Sequence, residues 1–93
     1  MDYTKIDEYL GNALYESRSV KRLTQNDMAA AITKKMKANG RKKGITRSGY
    51  AFYEKGERSM PSYVFTYACE VLGIDEDKIF NDACDFVKRK QKK

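Results

Sequence analysis

Apolar residues recur along this chain at intervals of three and four, the period of helices, and nowhere alternate in the manner of strands. Ile6, Tyr9, Leu10, Ala13 and Leu14 make the first stripe, at the i, i+3, i+4, i+7, i+8 spacing that places all five on one side of a helix. Val64, Tyr67, Ala68, Val71 and Leu72 make another, and Ile79, Phe80, Ala83, Phe86 and Val87 the last.

Capping signals divide these stripes into elements. Leu23-Thr24-Gln25-Asn26-Asp27-Met28 offers Thr24 as an N-cap, Asp27 to complement the helix dipole, and Leu23 with Met28 as a hydrophobic staple. Ile45 to Tyr50 repeats the device with Thr46 as cap, and Ile74 to Ile79 repeats it with Asp75. Ser62, after Pro61, is a fourth candidate cap, and Gly73 a stop. The pattern predicts an all-α chain of five helices, over about 4–20, 25–38, 47–55, 63–72 and 76–89. At 93 residues they form one domain, 1–93, in which 88–93 is a basic tail.

Composition adds mainly exclusions. Eleven aromatic residues against one proline indicate a folded chain. No run approaches the ~20 apolar residues of a membrane span, and the acidic stretch Met1 to Glu8 is unlike a signal peptide, so the expected location is the cytoplasm. Cys69 and Cys84 sit among apolar residues without a CxxC spacing, which favours buried thiols over a disulfide or metal site. Histidine is absent, and no GxSxG, phosphate-cradling glycine loop or carboxylate cluster replaces it. The expectation is a non-enzyme with no catalytic residues, metal, cofactor or small-molecule substrate.

Charge changes the picture more. Residues 1–16 carry net −3, 17–58 net +9, 59–87 net −5 and 88–93 net +5. The densest run, Lys34 to Tyr50, holds seven bases (Lys34, Lys35, Lys37, Arg41, Lys42, Lys43, Arg47) and no acid. Like charges at helical spacing disfavour the helix, so the run predicts an external polyanion. Beside it, the helix after Thr46 turns Arg47, Ser48, Ala51 and Phe52 outward. Arginine forks onto guanine, serine bonds base edges, and alanine or phenylalanine touches a thymine methyl. Phe52 is open between that contact and a buried place. Gly49, on an exposed turn, suits close backbone approach to a partner.

LTQNDMA (Leu23 to Ala29), GITRSGYAFYEKGER (Gly44 to Arg58), MPS (Met60 to Ser62) and CEVLGIDEDKIF (Cys69 to Phe80), in this order, resemble the Cro/CI-type, or XRE, helix-turn-helix family. The resemblance implies a five-helix, lambda-repressor-like fold. It also implies sequence-specific binding of double-stranded DNA by a transcriptional regulator, such as a bacterial or phage repressor on its operator. Carried over by position, Arg47, Ser48, Ala51 and Phe52 fall on base-reading positions. Gln25 falls on a phosphate contact at a helix N-terminus. Thr46, Gly49, Lys55 and Arg58 fall near the DNA backbone, Tyr53 and Glu54 on the structural end of the recognition helix, and Ile45, Tyr50, Val71 and Leu72 in the core.

The chain departs from the family in spacing: Ala29 to Gly44 is about eleven residues longer than usual. The insertion holds Lys34, Lys35, Lys37, Arg41, Lys42 and Lys43, all backbone-contact candidates. It is either a two-turn extension of helix 2 stopping at Asn39-Gly40, followed by a flexible link over 41–43, or a mobile basic loop; the extension is preferred. The tail 88–93 is open between phosphate contact, continued helix, a nuclear-localisation-like signal and a solvated end. The last apolar stripe either packs on the first helix or lengthens the last helix into a homodimer contact suited to a palindromic operator. The alternative function is an antitoxin-like interaction module whose acidic last helices grip a basic partner. RNA binding is disfavoured by the lack of an aromatic stacking platform.

Overall fold

The computed structural model describes the backbone of residues 3–91 and the side chains of 5–89. It contains five helices and, among the described residues, no strand: α1 (Tyr3–Val20), α2 (Gln25–Ala38), α3 (Arg47–Lys55), α4 (Ser62–Leu72) and α5 (Glu76–Gln91). No described helix is long and apolar enough to cross a membrane. The basic-tail residues Lys92 and Lys93, like Met1 and Asp2, lie outside the described residues, whereas the backbone of Lys88 to Gln91 continues α5.

Three of the four predicted caps form, at Thr24, Thr46 and Asp75. The Thr24 hydroxyl accepts from the Asp27 amide at 3.0 Å while the Asp27 carboxylate accepts from the Thr24 amide at 2.9 Å, a complete capping box. The bond from the Thr24 amide first, and the nearby Thr24 side chain second, hold the Asp27 carboxyl below its usual pKa. Thr46 caps α3 through the Gly49 amide at 3.0 Å, and Asp75 accepts from the amides of Asp77 and Lys78. Ser62 differs: Pro61 occupies the N-cap with no side-chain bond, and Ser62 is the first helical residue. The Pro61 carbonyl accepts from the Val64 and Phe65 amides at the helix start, but its side chain has no hydrogen-bonding atom with which to cap the first helical amides.

The Ala29-to-Gly44 insertion is resolved as helix followed by a turn. α2 continues to Ala38, then closes as the Gly40 amide donates to the Lys37 carbonyl at 3.1 Å and the Arg41 amide to that of Met36 at 3.0 Å. Gly40, at φ 86°, takes the left-handed conformation this closure requires. α1 ends with the same pair of bonds, but there a non-glycine residue, Arg22, holds φ 58°.

Leu14, Met28, Ile32, Tyr50, Val64, Leu72 and Val87 are the largest fully buried side chains, so all five helices share one core. α3 packs on α1 and α2, α2 also on α4, and α5 mainly on α1. Gly11 permits the first of these contacts: a Cβ there would stand 2.3 Å from the Glu54 carbonyl oxygen. The last stripe divides. Ala83 and Val87 are fully buried and Ile79 packs against the core, whereas Phe80 remains 48% and Phe86 40% exposed. Six residues apart, the two rings point about 120° from each other around the helix. Phe86 meets Tyr9 of α1 at 5.3 Å between centroids, while Phe80 lines a separate groove. The stripe thus supplies the contact with α1 and leaves no single apolar seam.

Candidate nucleic-acid interface

α3 is fastened from behind. Tyr50 is fully buried and Glu54 is 7% exposed, and these two residues, four apart, define its inner face. Arg18 of α1 holds the Glu54 carboxylate with both arms of its guanidinium, Nε at 2.9 Å and Nη2 at 2.8 Å, and donates from Nη1 to the Leu23 carbonyl at 2.7 Å. Burial is the largest single influence on Glu54 and opposes its charge, but the bonds from Arg18, the adjacent Tyr50 hydroxyl, the Gln25 amide and the Arg18 charge together outweigh it and hold the carboxyl below its ordinary pKa. The Tyr50 hydroxyl is buried beside this pair without hydrogen-bond geometry to either partner. Burial, followed by the Glu54 charge, raises its pKa.

Gln25 belongs partly to this cluster. It opens α2 as expected, yet its Nε2 donates to Glu54 at 3.3 Å, so an inward carboxylate engages part of the amide assigned to phosphate. Only the amide oxygen and remaining N–H are left for another partner.

Outward, Arg47 and Ser48 are exposed and Ala51 and Phe52 half-buried. Ser48 and Phe52 turn most directly away from Tyr50 and Glu54, whereas Arg47, seven residues before Glu54, is exposed at the first turn on nearly the same side of the helix. Phe52 takes neither alternative fully: the Arg58 guanidinium lies 4.4 Å from its ring centroid and covers part of it. The stack draws Arg58, in the loop after α3, onto the exposed face of that helix. Lys55 is exposed, as is Thr46, whose hydroxyl is committed to its cap. Gly49 is half-buried, and a Cβ there would stand 3.3 Å from the Thr46 hydroxyl. That contact is tight but does not demand glycine, since Asp27 holds the corresponding position under the Thr24 cap of α2.

The basic run has two internal partners that its composition did not disclose. Lys35 pairs with Glu70 of α4 at 3.3 Å, and the Arg41 guanidinium lies 3.6 Å from the Tyr63 ring centroid, also on α4. The expectation that all its counter-charge must come from outside is corrected for Lys35, although the pair is partly exposed and correspondingly weak. Arg41 keeps its charge while being positioned. Lys34, Lys37, Lys42, Lys43 and Arg47 are exposed, and none pairs with a carboxylate among the described residues.

Thr33 joins this run to α3. Its hydroxyl accepts from the Ile45 amide at 3.0 Å and donates to the Ile45 carbonyl at 3.1 Å, clamping the residue just before the Thr46 cap against α2. Gly44 leaves room for that hydroxyl, since a Cβ there would fall 2.2 Å from the Thr33 side chain. The segment 39–46 is consequently held by the end of α2, Arg41 on Tyr63, and Thr33 on Ile45.

The cysteines are both free. Cys69 is buried, which pushes its pKa up to about 12, whereas Cys84 is only half-buried, short of the burial expected for it. Among the described residues no group of three or more cysteine, aspartate or glutamate side chains is placed to hold a metal ion.

Arg18, Thr33, Gly11 and Tyr63 carry parts of this arrangement without having been singled out in the sequence. Arg18 had one weak signal: it is the base in the last turn of α1, and α3 carries a single acid, Glu54. No family model matches the chain, and neither a curated protein nor a solved structure matches it.

Proposed function

We propose that this chain is a lambda-repressor-like helix-turn-helix domain that binds double-stranded DNA at specific sequences and acts as a transcriptional regulator. The observation that carries the reading is the row of exposed, carboxylate-free cations, Lys34, Lys37, Lys42, Lys43 and Arg47, joined through the Thr33–Ile45 clamp to the outward face of α3. In this reading α3 enters the major groove. Arg47, Ser48 and Ala51 meet base edges, the exposed edge of Phe52 meets a thymine methyl, and Arg58 follows a phosphate beside it. The extended end of α2 and the 39–46 turn run along the backbone, where their charge contributes affinity without sequence information. Regulation then comes from occupying the site, not from a chemical step.

Arg47→Ala tests the register. A lost guanine fork costs about 1–3 kcal/mol at one base position. Selection from a random duplex pool, followed by anisotropy titration, should show roughly ten- to hundredfold weaker binding to the preferred site and relaxed choice at one position. Non-specific affinity should remain nearly intact, and Arg47→Lys should recover charge but not the full preference. Equal weakening on every sequence would make Arg47 a phosphate contact; no change would remove α3 from the interface.

A further inference from the structure

Away from α2, α3 and the basic turn, α1, the 59–62 loop, α4 and the start of α5 enclose a groove of about 730 Å³. Leu10, Met60, Phe65 and Phe80 give it an apolar floor, in which Phe80 is 48% exposed. Three acids border that floor: Asp7 from α1, and Glu76 and Asp77 from α5. Asp7 accepts from Ser59 at 2.8 Å and Glu76 from Thr66 at 2.7 Å, but each neutral hydroxyl uses only one of the several acceptor sites on its carboxylate. The chain has 19 lysines and arginines, yet among the described residues none forms an ion pair with any of the three acids. The amides opening α5 offset about half an elementary charge at Glu76 and Asp77 and leave the border negative.

We infer that the groove is a binding site for a small organic cation, an amine or quaternary ammonium head on an aromatic or branched apolar body. Charge complementarity sets the head. Asp7 and Glu76 are half-buried, so their attraction for an ammonium is screened less than at an open surface, and the same head can lie against the Phe80 ring. The floor sets the body, because a groove of this volume with an apolar lining and a few polar groups suits one drug-sized molecule. Size decides between this ligand and a basic protein segment of the same charge pattern. The α5 wall runs from Glu76 to Cys84, about 12 Å along the helix, and the α1 wall from Ile6 to Leu10, about 6 Å. A docked helix, itself about 10–12 Å wide, would seat about two turns there, whereas a compact cation would bury most of its surface. Binding here uses no part of the DNA-facing surface and involves no chemical step.

Titration of the full chain without DNA, followed by amide chemical shifts, tests this with three probes that share one body and differ in the head: phenylbutylamine, phenylbutanol and phenylbutyrate. The amine should bind saturably, with shifts centred on 6–10, 59–65 and 76–84, and roughly tenfold more tightly than the alcohol, while the carboxylate should be excluded. Added salt should weaken binding of the amine and not of the alcohol. The double variant Asp7→Asn/Asp77→Asn, which keeps an acceptor for Ser59, should bring the amine to the affinity of the alcohol and leave the alcohol unchanged. A loosened fold would weaken both, as should Phe80→Ala, and circular dichroism confirms that each variant is folded. Bound amine should slow maleimide modification of Cys84, which lines the groove. Arg47→Ala should bind the amine as the wild type does, so failure at the DNA face and failure at the groove are separate results. Equal binding of the three probes, shifts outside the groove, or no saturable binding of the amine overturns the inference. A groove that ignores the amine but binds a basic amphipathic peptide also overturns it, assigning the groove to a protein partner.

Discussion

The residue with most influence on the position of α3 is Glu54, a buried carboxylate held by Arg18 from 36 residues away. A bidentate pair of this kind stabilises little over an apolar substitute, but removing one partner strands the other. Glu54→Gln should therefore cost about 3 kcal/mol in urea unfolding near neutral pH, discounted by the partial exposure of Arg18. Its pKa is lowered by folding, so the contribution is present above the unfolded value of about 4.3 and is lost as pH falls through the lower folded value. The variant's stability should decline less steeply in that acidic window. It should not become flat, because Asp27 is shifted in the same direction.

Among the elements, α2 departs furthest from the motif it resembles, and its extra turns are tied down at several places. Lys35 reaches Glu70, Arg41 stacks on Tyr63 and Thr33 clamps Ile45. The clamp bears most directly on function because it places Thr46, and hence the first turn of α3. Thr33→Val keeps the shape and leaves the Ile45 amide and carbonyl without their partner, at a cost of about 1–3 kcal/mol. Amide hydrogen exchange should rise at Ile45 and through 41–46 while protection in α1 and α4 is retained. Unchanged exchange there would mean that the turn is held by its other contacts. The helical extension was legible in the sequence because Ile32 and Met36 continue the apolar period and Asn39-Gly40 ends it.

Over the whole molecule, charge is divided between the unpaired cations of the α2 end and 39–46 turn and the acid-rimmed groove against α5. The first should bind by releasing counterions, with log affinity falling against log salt by about 0.9 for each phosphate neutralised. Lys42→Ala with Lys43→Ala should flatten the slope by about one to two units and leave the selected sequence unchanged. An unaltered slope would make these lysines a solvated surface. Lys35 is a poorer choice for this measurement, since its contact with Glu70 would mix stability with binding.

The sequence by itself determined the five helices, their order and most of their ends, because a cap or a Schellman closure is decided within a few residues and the apolar period is local. It also made visible the outward positions of α3 and the concentration of positive charge around residue 40. Ser62 was misplaced as a cap by one position, since serine and proline both favour a helix start and only the backbone reveals which residue occupies the cap. Tertiary structure alone decided that Arg18 meets Glu54, that Lys35 has an internal partner, and that Gln25 turns part of its amide inward. It alone showed that Thr33 secures the turn and that the last apolar stripe divides between the core and two flanks. These outcomes depend on pairings across twelve to thirty-six residues, whose geometry exists only after α1, α2, α3 and α4 have packed.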